Sequence, residues 1–451
     1  MPTKKKNLSY PLWHPYLPMN NIEEEVTMLV EGKGCRVRDQ HGNQYIDAGG
    51  GLWSIQCGLG HPYIIDAITK QLHHLSYGTL FDSRGNEPAL LLARALVAMS
   101  PNPLEWVYLT GSGSEAVELA IKIARLHWAL KGRDDKKGIA YLDRSYHGTF
   151  FGSMGVTALI EQKKEFGPLL PAIFSITAPD PDRCPPDTSY VDFSINCARE
   201  LEKLAVEGNI AAFIAEPILG AAGVIIPPKE YFQTIKEICV KYDVLLILDE
   251  VATGFGRTGK WFATEHFGIE PDILLLAKGI NSGYLPLGAV LFSEQIGNTM
   301  LEEKCGLGHG SSHNGNPPCC AAALATIDVI RNENLIEKSV ESGAYFRSRL
   351  EELRVYPWIK EIRSIGLMLS VVFVQEDGRN VTQEQVDLLC KALKNRGVLA
   401  YPGGASLVFC PALIISTQEI DEVVDALQAV LKSVRLHDGE MDFVAKAEAL
   451  T

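Results

Sequence analysis

Two apolar runs in this sequence end in side chains that can move protons or attack a carbonyl. Leu245-Leu246-Ile247-Leu248 stops at the adjacent carboxylates Asp249 and Glu250, followed by Val251. Ile273-Leu274-Leu275-Leu276-Ala277 stops at Lys278, 278 − 249 = 29 residues beyond Asp249. A lysine at the end of a buried strand loses solvation, its pKa falls, and the neutral amine becomes a nucleophile toward aldehydes. In isolation a snorkelling surface lysine and a helix-capping acid are the blander readings. A third feature lies upstream, where Val107-Tyr108-Leu109 runs into Thr110-Gly111-Ser112-Gly113-Ser114-Glu115-Ala116 and a helical pattern continues through Arg125. A Gly/Ser turn that opens a helix presents unpaired N–H groups and the positive end of the helix dipole, which suits an anion. It is neither the G-x-G-x-x-G dinucleotide fingerprint nor a P-loop, since no Gly-Lys-Ser/Thr follows.

Taken together, an anion-binding helix start, a strand-end acid and a strand-end lysine match the three demands of pyridoxal phosphate. Its phosphate needs the helix terminus, its pyridine nitrogen an acid, and its aldehyde an amine.

The elements that must position these groups follow from periodicity. From about residue 88, helical patterns over 88–99, 114–131, 193–207 and 229–242 alternate with short apolar runs. The runs are Trp106–Leu109, Gly138–Leu142, Ala211–Ala215, Val244–Leu248, Ile273–Ala277 and Ala289–Phe292. Continuous apolar runs between helices indicate strands buried on both faces, hence an α/β fold with a mostly parallel sheet flanked by helices. Helical patterns over 318–331 and 335–353 follow, then a strand over Ile365–Phe373 and a helix over 383–396, which predict a smaller α+β domain. Near the start, Cys35–Asp39 and Gln44–Asp47 flank a Gly-containing turn and read as a hairpin. Pro11, Pro15 and Pro18 make an extended arm before it. Gly49, Gly50, Gly51, Gly58 and Gly60 suit tight turns or close backbone approach.

The chain resembles the class III aminotransferases, the ω-aminotransferase group of fold-type I pyridoxal-phosphate enzymes. The resemblance rests on Ser112-Gly113-Ser114-Glu115-Ala116, Tyr146-His147-Gly148, Ala215-Glu216-Pro217, Asp249-Glu250-Val251 with Gly254-Phe255-Gly256-Arg257-Thr258-Gly259, Ala277-Lys278-Gly279, and His309-Gly310 with Gly315-Asn316-Pro317. It implies the aspartate-aminotransferase fold, with a seven-stranded sheet and a smaller domain built from both termini. The implied division is 1–60 for the arm and part of the small domain, 61–331 for the cofactor-binding domain, and 332–451 for the rest of the small domain. It further implies that Ser112, Gly113 and Ser114 hold the phosphate, Tyr146 and Val251 cover the two ring faces, and Glu216 lies near the cofactor. Asp249 would pair with the pyridine nitrogen and Lys278 would hold the aldehyde carbon. Ser312 stands where the family has a threonine that reaches the neighbouring subunit's phosphate, so the resemblance implies a homodimer with shared active sites. Leu52, Trp53 and Phe81 fall where the family lines its substrate pocket. The implied reaction moves an amino group between a donor amine and an oxo acid, ketone or aldehyde.

One position departs from the family. In Gly397-Val398-Leu399-Ala400-Tyr401-Pro402-Gly403-Gly404, Tyr401 stands where an arginine that binds substrate carboxylates is expected. A phenol cannot make the bidentate charged contact of a guanidinium, so the donor is expected to carry its amine away from any carboxylate. Arg257 and Arg84 are the other arginines that could take that task. Diaminopelargonate aminotransferase is a further reading, on Trp13-His14-Pro15-Tyr16 and Asn86-Glu87-Pro88-Ala89, although its paired tryptophans appear here as Leu52-Trp53. A racemase or decarboxylase on the same fold would share every cofactor contact. A non-catalytic phosphate-ligand binder would have no need of the lysine.

Composition narrows the classes. The 451 residues are 46% hydrophobic and 22% charged, with a formal charge of −13. That acidity disfavours a nucleic-acid partner, which needs a Lys/Arg surplus. Lys4, Lys5 and Lys6 are followed by no apolar signal core, and no run of 18 or more apolar residues exists for a membrane span. The expectation is a soluble, cytoplasmic protein. Ten scattered cysteines without a C-x-x-C pair predict buried free thiols and no metal site.

Overall fold

The structure is a computed structural model and describes residues 10–20, 22–437 and 440–442. The basic start, Lys4 to Lys6, lies outside the described residues. A seven-stranded sheet forms the centre, in spatial order Leu104–Thr110, Gly288–Ser293, Ile273–Leu276, Leu245–Asp249, Ile210–Ala215, Gly138–Leu142, Ile173–Ile176. Neighbours are parallel except Gly288–Ser293, which runs antiparallel to both of its partners. The central strands Ile210–Ala215, Leu245–Asp249 and Ile273–Leu276 are buried at every position. That is why they read as unbroken apolar runs: helices cover both faces and leave no solvated side.

Six of the seven strands coincide with sequence-expected runs to within a residue or two. The seventh, Ile173–Ile176, escapes the pattern because it is the edge strand beside Gly138–Leu142 and is largely half-exposed. The expected helices are found at Glu87–Met99, Gly113–Leu130, Tyr190–Ala205, Lys229–Lys241, Pro317–Asn332, Leu335–Glu351 and Gln383–Lys394. The helices Pro62–His74 and Glu294–Glu302 are additional. No helix among the described residues is long and apolar enough to cross a membrane.

Beyond Glu351 the chain differs from the single strand expected over Ile365–Phe373. Gly366 turns with φ +53°, so Ile365 closes one strand, Ile359–Ile365, and Met368–Phe373 returns antiparallel to it. Ser406–Phe409 and Tyr401–Gly403 complete this four-stranded sheet. A separate sheet contains Leu29–Lys33, Arg36–Asp39 and Gln44–Asp47, and Val398–Leu399 pairs in parallel with its last strand. The two ends of the chain are thereby joined by backbone hydrogen bonds.

Candidate active site

The site lies where strands leave the central sheet at their carboxyl ends, the usual ligand edge of α/β sheets. Asp249 is register partner of Leu275, and the Glu250 N–H donates to Leu275 O at 3.0 Å, so Asp249 and Lys278 emerge side by side. Lys278 is half-buried, and desolvation of its amine holds the ammonium below the usual lysine range, against the opposing pull of the Asp249 and Glu216 carboxylates. Its backbone takes a left-handed φ of +45° as the strand breaks into a short 3-10 turn.

Asp249 uses both oxygens. Oδ1 accepts the Val251 N–H at 3.0 Å, and Oδ2 meets His147 Nδ1 at 2.7 Å. His147 is a functional candidate with no signal of its own in the sequence, although it sits inside the Tyr146-His147-Gly148 motif. Its Nε2 is buried without a protein partner. Tyr146 donates its backbone N–H to Glu216 at 3.0 Å, and its hydroxyl lies 3.1 Å from that of Tyr16 in the N-terminal arm. Burial pushes the Glu216 carboxyl up to about 7.

Ser112 caps the Gly113–Leu130 helix by accepting the Glu115 N–H at 3.2 Å, and the helical ladder then begins with Ala116 N–H to Ser112 O. The first N–H groups of the helix face outward. A Cβ added to Gly113 would press on both Val251 methyls at 3.1 and 3.2 Å and on Ala277 at 3.5 Å, while one on Gly148 would strike Ser114. These glycines keep open a cradle bounded by the helix start, Val251 and the Lys278 strand end. A phosphorylated pyridine aldehyde fits this donor set, with an anion seat, a carboxylate backed by a histidine, and a desolvated amine.

Trp53 is buried with its ring centroid 4.9 Å from Lys278 Nζ, and its Nε1 has no protein partner. Leu52, next to it, is largely exposed. Tyr401 packs so closely on Gly49 that a side chain there would collide with its ring. Burial and the Asp47 carboxylate raise the Tyr401 phenol above its usual range, partly offset by the Leu52 N–H. Phe81 and Ser312 make their contacts elsewhere. The Phe81 ring lies against Gly310, and exposed Ser312 accepts the Tyr77 hydroxyl through its carbonyl at 2.8 Å. Arg257 is fully buried and donates to Leu367 O at 2.9 Å and Pro411 O at 2.5 Å, so it ties backbone segments together. Arg84 is exposed.

Seven of the ten cysteines are buried and all are free, and no cluster of metal-ligating residues occurs among the described residues.

Fold and site together define a pyridoxal-phosphate enzyme of fold type I. Residues 19–431 match the family Aminotransferase class-III, and the chain belongs to it. It is a pyridoxal-phosphate-dependent aminotransferase. A putrescine–pyruvate aminotransferase of Pseudomonas aeruginosa is 34% identical over 91% of this chain and 91% of its own length. A taurine–pyruvate aminotransferase of Bilophila wadsworthia is 33% identical over 94% of this chain and 95% of its own. Among solved structures, the ω-transaminase of Pseudomonas jessenii in complex with PMP aligns with a TM-score of 0.89 at 32% identity, covering 92% of this chain and 95% of that one.

Proposed function

We propose that the enzyme transfers the amino group of a donor whose amine lies away from any carboxylate, and that Lys278, Asp249 and the Gly113 cradle divide the work. The observation that carries the assignment is the emergence of Asp249 and the half-buried Lys278 from adjacent parallel strands against the open start of the Gly113–Leu130 helix. When bound, pyridoxal phosphate supplies an aldehyde that takes up the amine and a ring that accepts the electron pair left on the donor carbon. Ser112, Gly113 and Ser114 hold its phosphate, and Val251 and Tyr146 confine the ring. Asp249 holds a proton at the ring nitrogen, and His147 fixes the carboxylate that does so. Lys278 would carry the proton from the donor carbon on its neutral Nζ, the form that desolvation favours. Glu216 anchors the Tyr146 backbone.

Trp53, Leu52 and Tyr401 wall the donor side. The neutral phenol at 401 supports a carboxylate-distal amine, and the two relatives named for putrescine and taurine support the same class. Residues 61–331 form the cofactor-binding domain, and the described parts of 1–60 and 332–451 supply an arm and the smaller domain. The protein acts in the cytoplasm as a homodimer in which Ser312 serves the neighbouring site.

Lys278→Ala tests the core of this reading. The variant is expected to fold, to lose the visible absorbance of covalently held cofactor and to lose turnover. Wild-type activity with a borohydride-trappable bond still forming would remove Lys278 from the role.

A further inference from the structure

Residues 50–53 form a left-handed helical turn. Gly50 and Gly51 both have φ +57°, Leu52 +62° and Trp53 +65°, and the ψ values of Gly51 and Leu52, 47° and 46°, complete the mirror image of an ordinary helix. The Trp53 N–H closes it onto Gly49 O at 2.9 Å and the Ser54 N–H onto Gly50 O at 2.8 Å. Glycine adopts this backbone freely, whereas leucine and tryptophan do not, so something outside the turn must hold it. Two groups are in place. The Asp47 carboxylate accepts the Gly51 N–H at 2.7 Å and the Gly49 N–H at 3.2 Å. On the other side the Tyr401 ring fills the space a Gly49 side chain would need, and Cys410 O does the same at Gly50. The Cys410 N–H donates to Ala48 O at 2.8 Å and fixes that wall. The benzo edge of the Trp53 indole lies against Gly220, and the ring sits beside Lys278.

From this geometry we infer that Asp47 and Tyr401 are positioning residues that clamp residues 50–53 in the left-handed turn and thereby set the depth at which Trp53 walls the donor site. The inference rests on Trp53 facing the donor. The clamp acts on which amines fit and leaves the proton transfer at Lys278 alone. Asparagine at 47 keeps one acceptor but turns an NH2 toward the second N–H, so Asp47→Asn loosens the turn and lets the indole shift. Glycine at 52 adopts the left-handed backbone without a clamp. Loss of the clamp therefore matters less in Leu52→Gly, and this coupling separates a conformational role from a merely structural one.

The experiment uses holoenzyme and follows single-turnover loss of cofactor absorbance with n-propylamine and with benzylamine. Asp47→Asn is expected to change the benzylamine-to-propylamine ratio of limiting rate over saturation constant by about tenfold. The change falls on the saturation constants and leaves the limiting rate with propylamine near that of wild type. In a double-mutant cycle the effect of Asp47→Asn is expected to shrink by about threefold or more in the Leu52→Gly background. If Asp47→Asn yields no folded holoenzyme, Asp47→Glu, which keeps both acceptor oxygens but displaces them, takes its place in the cycle, with the same expected coupling. Trp53→Leu is run beside them. A ratio moved by Trp53→Leu but not by the clamp variant, or equal clamp effects in both Leu52 backgrounds, overturns the clamp and leaves the donor-site reading standing. A ratio unmoved by Trp53→Leu removes Trp53 from the donor site and overturns both.

Discussion

His147 and Asp249 stand 102 positions apart in the chain and 2.7 Å apart in the fold, while the second ring nitrogen of His147 has no partner. An imidazole in that place orients the carboxylate toward the cradle, and the arrangement makes a definite demand of Asp249→Asn. The amide can still be seated by the Val251 N–H, and the helix start and ring contacts are untouched, so cofactor should be retained through dialysis. The single-turnover rate with an amine should drop by a hundredfold or more, the usual scale for removing an electrostatic stabiliser at a reacting centre. An unchanged rate would take the ring-nitrogen role away from Asp249. Its neighbour Glu250 faces the opposite way. It accepts the Thr264 N–H at 2.7 Å, the Ala263 N–H at 2.9 Å and the Thr253 hydroxyl, and burial raises it to about 7 from the usual 4.5. A raised acid binds its proton more tightly folded than unfolded, so this contribution to stability is complete below about pH 4.5 and fades as pH climbs through 7. Glu250→Gln, neutral at every pH, should therefore lose ground to wild type most at pH 4.5 and least at pH 8. Melting temperatures across that range check the sign; a gap that widened with pH would contradict it.

At the scale of elements, the loop after Asp249 does more than connect strands. Arg257, carried on Gly254-Phe255-Gly256-Arg257-Thr258-Gly259, reaches Leu367 O and Pro411 O, and its own carbonyl accepts the Leu367 N–H at 3.0 Å and the Ser339 hydroxyl at 3.0 Å. Arg257→Ala would strand two buried carbonyls and leave a void. The expected loss is about 3 kcal/mol or more, read from denaturant midpoints at unchanged slope. A loss below about 1 kcal/mol would show the loop held by other contacts. Sequence pattern exposed this element as a motif but not its purpose, and it admitted Arg257 as a substrate ligand, whereas the fold buries it and turns its Nη1 onto backbone carbonyls. A strand buried on both faces advertises itself as an apolar run, and a charged residue at its end is conspicuous. The partners of Arg257, like the Asp47 and Tyr401 contacts of the left-handed turn, come from distant segments, and no local periodicity encodes them. Ile173–Ile176 was hidden for the opposite reason, since an edge strand is only partly buried and loses the continuous signal.

At the scale of the molecule, two features remain without a task inside one chain. Ser312 is exposed, and between residues 63 and 91 Tyr63, Ile65, Leu72, Leu75, Tyr77, Leu80, Phe81, Leu90 and Leu91 are all exposed although large and apolar. A second copy of the chain would cover such a surface, consistent with exposed apolar patches marking interfaces. It would also bring Ser312 to the phosphate seat of its neighbour, as the family resemblance implies. Ser312→Ala then removes a hydroxyl from a dianion. Hydrogen bonds to charged groups contribute about 1.5–3 kcal/mol, so cofactor affinity should fall by roughly tenfold to a hundredfold. Direction across the interface can be tested by mixing subunits. In a heterodimer of Lys278→Ala and Ser312→Ala chains, one site keeps its own Lys278 and receives an intact Ser312 from the partner, while the other site lacks both. At limiting cofactor the heterodimer should recover about half the wild-type activity, well above the Ser312→Ala homodimer. If Ser312 instead acted within its own chain, the only site retaining Lys278 would lack the hydroxyl and no recovery would occur. A single-chain mass in sedimentation at micromolar protein would exclude the shared site altogether.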